Sequence, residues 1–405
     1  MKKMWIQVKK IWKLLLLILL IIITFSYAMF QGGFVSWFLL FSFLPFAIYA
    51  MAIACYPQGD ILASRIFSKK EFTFGETLEI KVTLSRKHSF PLFFLIVEDC
   101  LPSSLTQPNS GEKQKVILFP IFIKQLSFSY SLYELTRGEH LFKSIRVKTG
   151  DLFGLIEKEV ILSVNDKIIV YPKYEELIYR PIRTDFDHGL AVTKEQFQRD
   201  TTMATGVRNY QHGDRFSWIN WKVSAKKNEM MVKEFEQRQS HDVVIIIDCA
   251  PDQHFEIIIS FTASLIRSIL RKGVQVGMFA FTKERVEIPI RGGEAHLQQL
   301  FYLLAIMKDD SPVPLDRVVE SERFPIHGNG SIILITAQLS KSLIENVSLH
   351  AQRESSCLIF FLKGENEAAN NHERILTAMA AARGVKVVMI HEHHFSNALL
   401  EVGRG

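Results

Sequence analysis

Cysteine is scarce in this chain of 405 residues, and the four present (Cys55, Cys100, Cys249 and Cys357) have no C-x-x-C or metal-ligand spacing. That excludes a disulfide framework and a cysteine-built metal centre, and reads as reduced, mostly buried thiols in a cytoplasmic body. No G-x-G-x-x-G and no Walker loop follows the first strand of the C-terminal half, so a nucleotide site lacks support. No G-x-S-x-G elbow surrounds Ser224, so the letters Ser224, His212 and Asp214 do not by themselves make a hydrolase triad. Charge is absent from Leu14 to Cys55. A secreted or nucleic-acid-binding soluble domain has no use for such a stretch.

What fills that stretch is apolar. "LLLLILLIIITFSYAMF" (Leu14–Phe30) is a run of about 17 residues, roughly 26 Å long at ~1.5 Å per residue, against a bilayer core of about 30 Å. "FVSWFLLFSFLPFAIYAMAIAC" (Phe34–Cys55) is long enough to cross with some tilt, and only Gln31–Gly33 separates the two. The pattern predicts a transmembrane helical hairpin over residues 1–57. Lys2, Lys3, Lys9, Lys10 and Lys13 precede it, and Arg65, Lys69 and Lys70 follow it. By the positive-inside rule both termini and the soluble domains are cytoplasmic, on a two-pass protein of the cell membrane. A signal peptide cleaved near Ser26–Ala28 is the rival reading, opposed by the second span that follows at once. Most of the net charge of +6 is accounted for by the N-terminal lysines, which serve lipid headgroups and leave little reason to invoke nucleic acid.

The soluble part divides in two. Over residues 68–170 the period is two: "TLEIKVTL" sets Leu78, Ile80, Val82 and Leu84 on one face, and "LSFSYSL" does the same with Leu126, Phe128, Tyr130 and Leu132. Short strands with Gly and Pro punctuation predict a β-sandwich, with its aromatic residues in the core. Residues 171–205 read as a polar linker or surface excursion. From His241 onward strand and helix alternate: "VVIIID", "FEIIISFTASLIRSIL" closed by Gly273, "VQVGMFAF", "EAHLQQLFYLLAIM", "SIILIT", "SKSLIENVSLH", "SCLIFFL", "NNHERILTAMAAARG" closed by Gly384, and "VKVVMI". This predicts a doubly wound α/β sheet, with "ERVEIPI" as an added antiparallel edge. Ligands in such sheets collect beyond the carboxyl ends of the strands, here at "DCAPDQ" and "TAQ".

Between sandwich and sheet lies "TGVRNYQHGDRFSWINWKVSAKK" (Thr205–Lys227). Gly206, Arg208, Tyr210, Gly213–Asp214, Ile219, Trp221, Ser224–Ala225 and the following "VKEFE" resemble the signature of the bacterial "domain of unknown function 58" family. "TRGEHLFKSIRVKTGDLFGLIEKE" (Thr136–Glu159) is similar to that family's sandwich ending, and "IIVYPKYEEL" to its sequel. Leu152 departs from the family's usual proline, and Asn220 stands where aspartate is common. The resemblance implies a membrane hairpin, a β-sandwich and a von Willebrand factor A-like domain over residues 206–405. It also implies work with a MoxR-type ATPase, and often a transglutaminase-like membrane protein encoded nearby.

A von Willebrand A fold raises a metal question. Its Mg²⁺ site needs oxygen ligands in near-octahedral array, from an Asp-x-Ser-x-Ser loop, a Thr and a further Asp. Here the loop reads Asp248-Cys249-Ala250-Pro251-Asp252, and Thr336-Ala337 lacks the carboxylate. The expectation is a degenerate site, with no cofactor; the alternative is that Asp248 and Asp252 together hold a cation weakly. The "HEHH" of His391, His393 and His394 reads as a solvated loop.

In the central segment, Asp214 is expected to N-cap a helix over "RFSWINWKVSAKK" that ends at Asn228. Trp218 and Trp221 would share a face of it, with Lys222 beside Trp218. Arg208 is expected to pair with Asp214 or with a carboxylate of a partner. Two uses remain open. Trp221 and Ile219 pack the helix onto the sheet while Arg208–Asp214 fixes the loop, or Tyr210, Trp218, Lys222 and Lys226 form a protein-docking face. The expected protein-binding set is Arg208, Tyr210, Asp214, Trp218, Trp221, Lys222 and Ser224. The whole reads as a non-enzymatic, membrane-anchored adaptor. The alternative is a hydrolase built on Ser224 and Asp214.

Overall fold

The computed structural model describes residues 2–105, 114–179, 204–211, 214, 216–235, 242–321, 330–351, 356–365, 367–392 and 395. The chain divides into two compact units, Met1–Tyr171 and Pro172–Gly405. His212, His393 and His394 lie outside the described residues.

The first unit opens with α1 (Lys2–Gln31) and α2 (Phe34–Cys55). Gly32 and Gly33 join them at φ 60° and 87°, a left-handed conformation in which a side chain is strained. Leu17 of α1 clusters with Ala50 and Ile53 of α2. By length and composition α2 is the one helix able to cross a membrane among the described residues, and Leu15–Gln31 of α1 is a shorter apolar stretch. The chain therefore carries a membrane-associating element.

Among the described residues eight strands follow: β1 (Ile61–Phe67), β2 (Glu71–Thr73), β3 (Leu78–Arg86), β4 (Leu95–Cys100), β5 (Lys115–Leu118), β6 (Gln125–Leu132), β7 (Gly138–Gly150) and β8 (Glu157–Tyr171). They form a three-stranded sheet, β1-β3-β6, and a five-stranded sheet, β2-β8-β7-β4-β5. One core takes side chains from both: Leu78, Ile80 and Val82 of β3 meet Val97, Phe142 and Ile168 of the other sheet. The alternation read in β3 is realised, since Leu78, Ile80, Val82 and Leu84 are all buried.

Three expectations change here. Arg65 is no flanking surface charge. It is buried, donates from Nε and Nη2 to both carboxylate oxygens of Asp99 (2.9 and 2.5 Å), and reaches Asp166 at 2.9 Å. Tyr130 donates its hydroxyl to the same Asp99, at 2.7 Å. A charge removed from water needs such partners, and the isolated Arg in "ILASRIF" gave no sign of them. Second, the sandwich aromatics are not uniformly core, because Phe93, Phe119, Phe122 and Phe153 are exposed. Third, of the four thiols only Cys249 and Cys357 are buried, while Cys55 at the end of α2 is exposed.

The second unit starts with residues 172–179, which are no free excursion: they run along a helix described below. Next come β9 (Ala204–Asn209), α3 (Trp221–Lys227) and β10 (Met231–Phe235). The remainder is β11 (Val243–Ile247), α4 (Phe255–Arg271), β12 (Val276–Phe281), β13 (Arg285–Arg291), α5 (Glu294–Ile306), α6 (Leu315–Ser321), β14 (Ser331–Thr336), α7 (Lys341–Ala351), β15 (Ser356–Lys363), α8 (Asn371–Ala382) and β16 (Lys386–His391). The large sheet has the order β13-β12-β11-β14-β15-β16. All its neighbours are parallel except β13, which pairs antiparallel with β12 at the edge. Val244, Ile246, Ile332, Leu334 and Ile359 face α6, α7 and α8. Phe261 of α4 meets Phe360 of β15 edge-on at 4.9 Å, on the opposite face as the period of two requires. Buried on both faces, β11 is apolar throughout, and β14 is apolar between Ser331 and Thr336.

The linker's first residues dock on α4. Ser264 accepts a hydrogen bond from the Glu175 amide and Ser260 donates one to the Lys173 carbonyl, both at 2.9 Å. Arg267 covers the Tyr174 ring, and burial pushes the Tyr179 hydroxyl up to about 12. A polar composition hid these bonds, because two helix serines make them, one accepting and one donating.

Candidate functional site

Two places in the second unit gather polar side chains: the segment between β9 and β10, and the carboxyl ends of β11 and β14.

The first is a small self-contained device. β9 and β10 pair antiparallel, with Arg208 opposite Val232 and Asn209 opposite Met231. The chain between them closes back on the ribbon: Asn220 donates its backbone N–H to the Met231 carbonyl at 2.8 Å, and Ile219 bridges Val232. Ile219, Met231 and Val232 are buried. Arg208 grips Asp214 with both terminal nitrogens (2.8 and 2.7 Å), the planar geometry a guanidinium offers a carboxylate. Asp214 also accepts from the Gln211 amide at 2.9 Å. The expected pair is present, and the N-cap of α3 is Asn220 rather than Asp214.

The expected single helix is instead split. Phe216–Trp218 forms a 3₁₀ turn, and α3 begins only at Trp221. Asn220 is its N-cap, accepting from the Val223 amide at 3.4 Å. This is the position where the family's aspartate is replaced, and asparagine caps about as well. Asn228 ends the helix in the left-handed region at φ 58°, a conformation asparagine tolerates. The break at Ile219 follows from its bridge to β10, which the helical spacing of the tryptophans does not reveal. Trp218 and Trp221 therefore share no helical face.

Ser224 is a clasp. Its Oγ donates to the Asn220 carbonyl at 3.0 Å and accepts the Met231 N–H at 2.9 Å, so both its donor and an acceptor position serve backbone. Trp221 is 66% exposed, so it does not pack α3 onto anything, contrary to one expectation. Val207, Phe216 and Met230 are also exposed. Phe216 lies stacked with Tyr210 at 6.2 Å between centroids. Lys222, Lys226 and Lys227 are exposed on α3. Tyr210, Trp218 and Ser224 are half-buried. Phe216, Val207 and Met230 were missed; an apolar residue beside a tight polar turn was the available signal.

The second place is the point where the strand order of the sheet reverses, between β11 and β14. Asp248 accepts from the Thr336 hydroxyl at 2.6 Å and from the Ala250 amide at 3.1 Å. Burial raises its pKa, against these bonds. Asp252 accepts from the Gln338 side-chain amide at 2.8 Å and from the His254 backbone amide at 2.7 Å, with the His254 ring at 2.9 Å. Burial pushes the Asp252 carboxyl up, but the bonds from Gln338 and His254 outweigh it and hold the group below its ordinary value. The two carboxylates are thus bound by a hydroxyl, amides and an imidazole. No group of three or more His, Cys, Asp or Glu with cation-binding geometry occurs among the described residues. His391 closes β16 with its Nδ1 3.2 Å from the Gly364 carbonyl.

These observations define a class: a chain with an apolar membrane helix, an antiparallel two-sheet unit and an α/β unit whose first elements are a clasped aromatic turn. Residues 206–361 match the family model described as "Protein of unknown function DUF58". The chain is 36% identical over 389 residues to "Uncharacterized protein YeaD" of Bacillus subtilis (strain 168), covering 96% of this chain and 97% of that one. It belongs to the DUF58 family. Among solved structures it is similar to an aerotolerance-related membrane protein from Bacteroides fragilis, at 12% identity over 40% of this chain and 96% of that one, with a TM-score of 0.29. It is also similar to the conserved hypothetical protein BatB from Bacteroides thetaiotaomicron, at 13% identity over 40% and 99%, again with a TM-score of 0.29. Scores this low do not define a shared fold.

Proposed function

We propose that the protein is a non-enzymatic, two-pass membrane scaffold whose cytoplasmic α/β unit is von Willebrand A-like and docks a protein through the clasped turn. The observation that carries this reading is a large exposed tryptophan on a rigid mount. Trp221 stands on a helix of seven residues, too short to be stable alone, yet fixed by Ser224, by Asn220 and, across the turn, by Arg208–Asp214. Trp, Tyr and Arg are the residue types that dominate interface energetics, and a pre-organised mount lowers the entropic cost of binding. Phe216, Met230 and Val207 are further exposed apolar side chains of the same segment, and exposed Lys222, Lys226 and Lys227 on α3 suit an acidic partner.

The partner that the family resemblance implies is a MoxR-type ATPase, with a transglutaminase-like membrane protein as a further component. The hydrolase alternative is disfavoured by Ser224, whose hydroxyl is committed to Asn220 and Met231. The test is a photocrosslinking residue at position 221 in membranes. One discrete protein adduct is expected, lost on Arg208→Ala while the chain stays folded. An unchanged adduct pattern in Arg208→Ala would overturn the reading.

A further inference from the structure

We infer that the β-sandwich is itself a lipid-inserted element: three of its connections form an apolar collar around the helix pair and lie within the adjoining leaflet. The inference rests on the reading of α1 and α2 as membrane-spanning.

The collar consists of residues 90–94, 119–123 and 151–155. Phe93, Ile121, Phe122, Ile123, Leu152 and Phe153 are all exposed there, Phe122 by 63% and Phe153 by 61%. Isolated exposed apolar side chains are ordinary, but an aromatic-rich group on adjoining loops marks an interaction surface. The connections are joined to one another: Leu92 and Ile121 exchange backbone hydrogen bonds at 3.2 and 2.9 Å, and Thr149, just before the third, donates to the Phe94 carbonyl at 2.8 Å.

The first and third are also joined to the helices. Phe153 meets Phe46 edge-on at 5.1 Å, and Phe93 meets Tyr49 at 4.7 Å. The Phe93 amide donates to the Tyr49 hydroxyl at 3.2 Å, and Lys13 donates to the Gly154 carbonyl at 3.1 Å. Ile156 packs with Leu17, Ala50 and Ile53.

These contacts set the depth. Phe46 lies about nine residues before the end of α2, or roughly 13 Å along its axis. The part of α2 beyond Phe46 is about 12 residues, roughly 18 Å, well short of a hydrocarbon core of about 30 Å. The whole of α2, 22 residues, is about 33 Å and matches it. A bilayer that fits α2 therefore extends down past Phe46 and Tyr49 and reaches the collar that packs on them. Were the collar in water, the helix would be mismatched by about 12 Å, at fractions of a kcal/mol per Å.

Two details suit that depth. Loop backbone near hydrocarbon needs its carbonyls satisfied by protein. Buried Arg86 does this, donating to the carbonyls of Phe90 (2.8 Å), Ile121 (3.2 Å) and Ile123 (2.5 Å). Ile121 holds φ at 45°, a strained conformation for a β-branched residue; a glycine would relieve the strain but would remove the apolar side chain. Beneath the tips, exposed Lys87 and Lys124 flank Arg86 and its loop, where headgroup phosphates would lie.

The test uses the full chain in vesicles of phosphatidylethanolamine and phosphatidylglycerol, with Cys55 and Cys100 changed to serine. A polarity-sensitive fluorophore is placed by Phe122→Cys, Phe153→Cys, Phe38→Cys (within α2) or Tyr133→Cys (the opposite end of the sandwich), and quenched by brominated lipids. Quenching at positions 122 and 153 is expected to exceed that at 133 by at least about twofold, with 38 quenched most strongly. Strong quenching at 38 with 122 and 153 no different from 133 overturns the collar and leaves the spanning reading intact. Absence of quenching at 38 overturns the spanning reading and the collar with it.

Discussion

Two buried aspartates, Asp99 in the first unit and Asp248 in the second, are treated differently. In the sandwich, Asp99 receives both a guanidinium and a phenol hydroxyl, so its charge is matched. At the strand ends of the α/β unit, Asp248 receives only a threonine hydroxyl and one amide, and burial raises its pKa. The first is a staple whose charges cancel. The second is a buried charge held by neutral dipoles at the point where α/β sheets place ligand sites.

The comparison breaks most visibly at the staple. Arg65→Ala should destabilise the first unit by about 3–5 kcal/mol, because Asp99 is left buried and unpaired. Replacing both Arg65 and Asp99 by leucine should cost less than the two single changes together. Thermal unfolding of the purified chain checks both, and additivity would show the pair to be uncoupled.

A smaller effect is expected at the clasp. Ser224→Ala leaves the Met231 N–H without its side-chain acceptor and should cost about 1–3 kcal/mol. Hydrogen exchange should rise at Met231 and along α3, with the large sheet unaffected.

Asp248→Asn sharpens the contrast with Asp99, since here removing charge should stabilise. A raised folded pKa means the native state holds its proton longer. The wild type should therefore lose stability as pH rises from the ordinary carboxylate value of about 3.9 through the raised one. The asparagine variant should lack that loss. Its advantage should be full above the raised pKa and absent below the ordinary one. Denaturation midpoints between pH 4 and 8 measure it.

The smallest change in stability belongs to Trp221→Ala, within about 0.5 kcal/mol as for an exposed position, although its effect on binding should be large.

Much of this architecture is legible in hydropathy and period. The apolar helices, the alternation of β3, the apolar runs of β11 and β14 and the antiparallel edge β13 follow from side chains that face one environment each. The glycine stops at Gly273 and Gly384 both have φ 77°. What escaped reading depends on partners distant in sequence. Arg65 looks like a membrane flank until Asp99 and Asp166 are brought to it. β9 has no alternation in "ATGVRN" and exists through β10. α6 is seven residues long and follows two prolines. At the candidate site the Arg208–Asp214 pair was legible from residue type. The exposure of Trp221 was not, because the helix breaks where Ile219 bridges Val232.

The central claim is that the clasped turn is a docking face. Its most direct measurement is titration of a purified MoxR-type ATPase against the full chain in lipid nanodiscs, for wild type and for Phe216→Ala with Trp221→Ala. Saturable binding by wild type is predicted, weakened at least about tenfold in the variant, or 1.4 kcal/mol, at unchanged thermal stability. Binding that is equal in the two, or absent from wild type, would contradict the account.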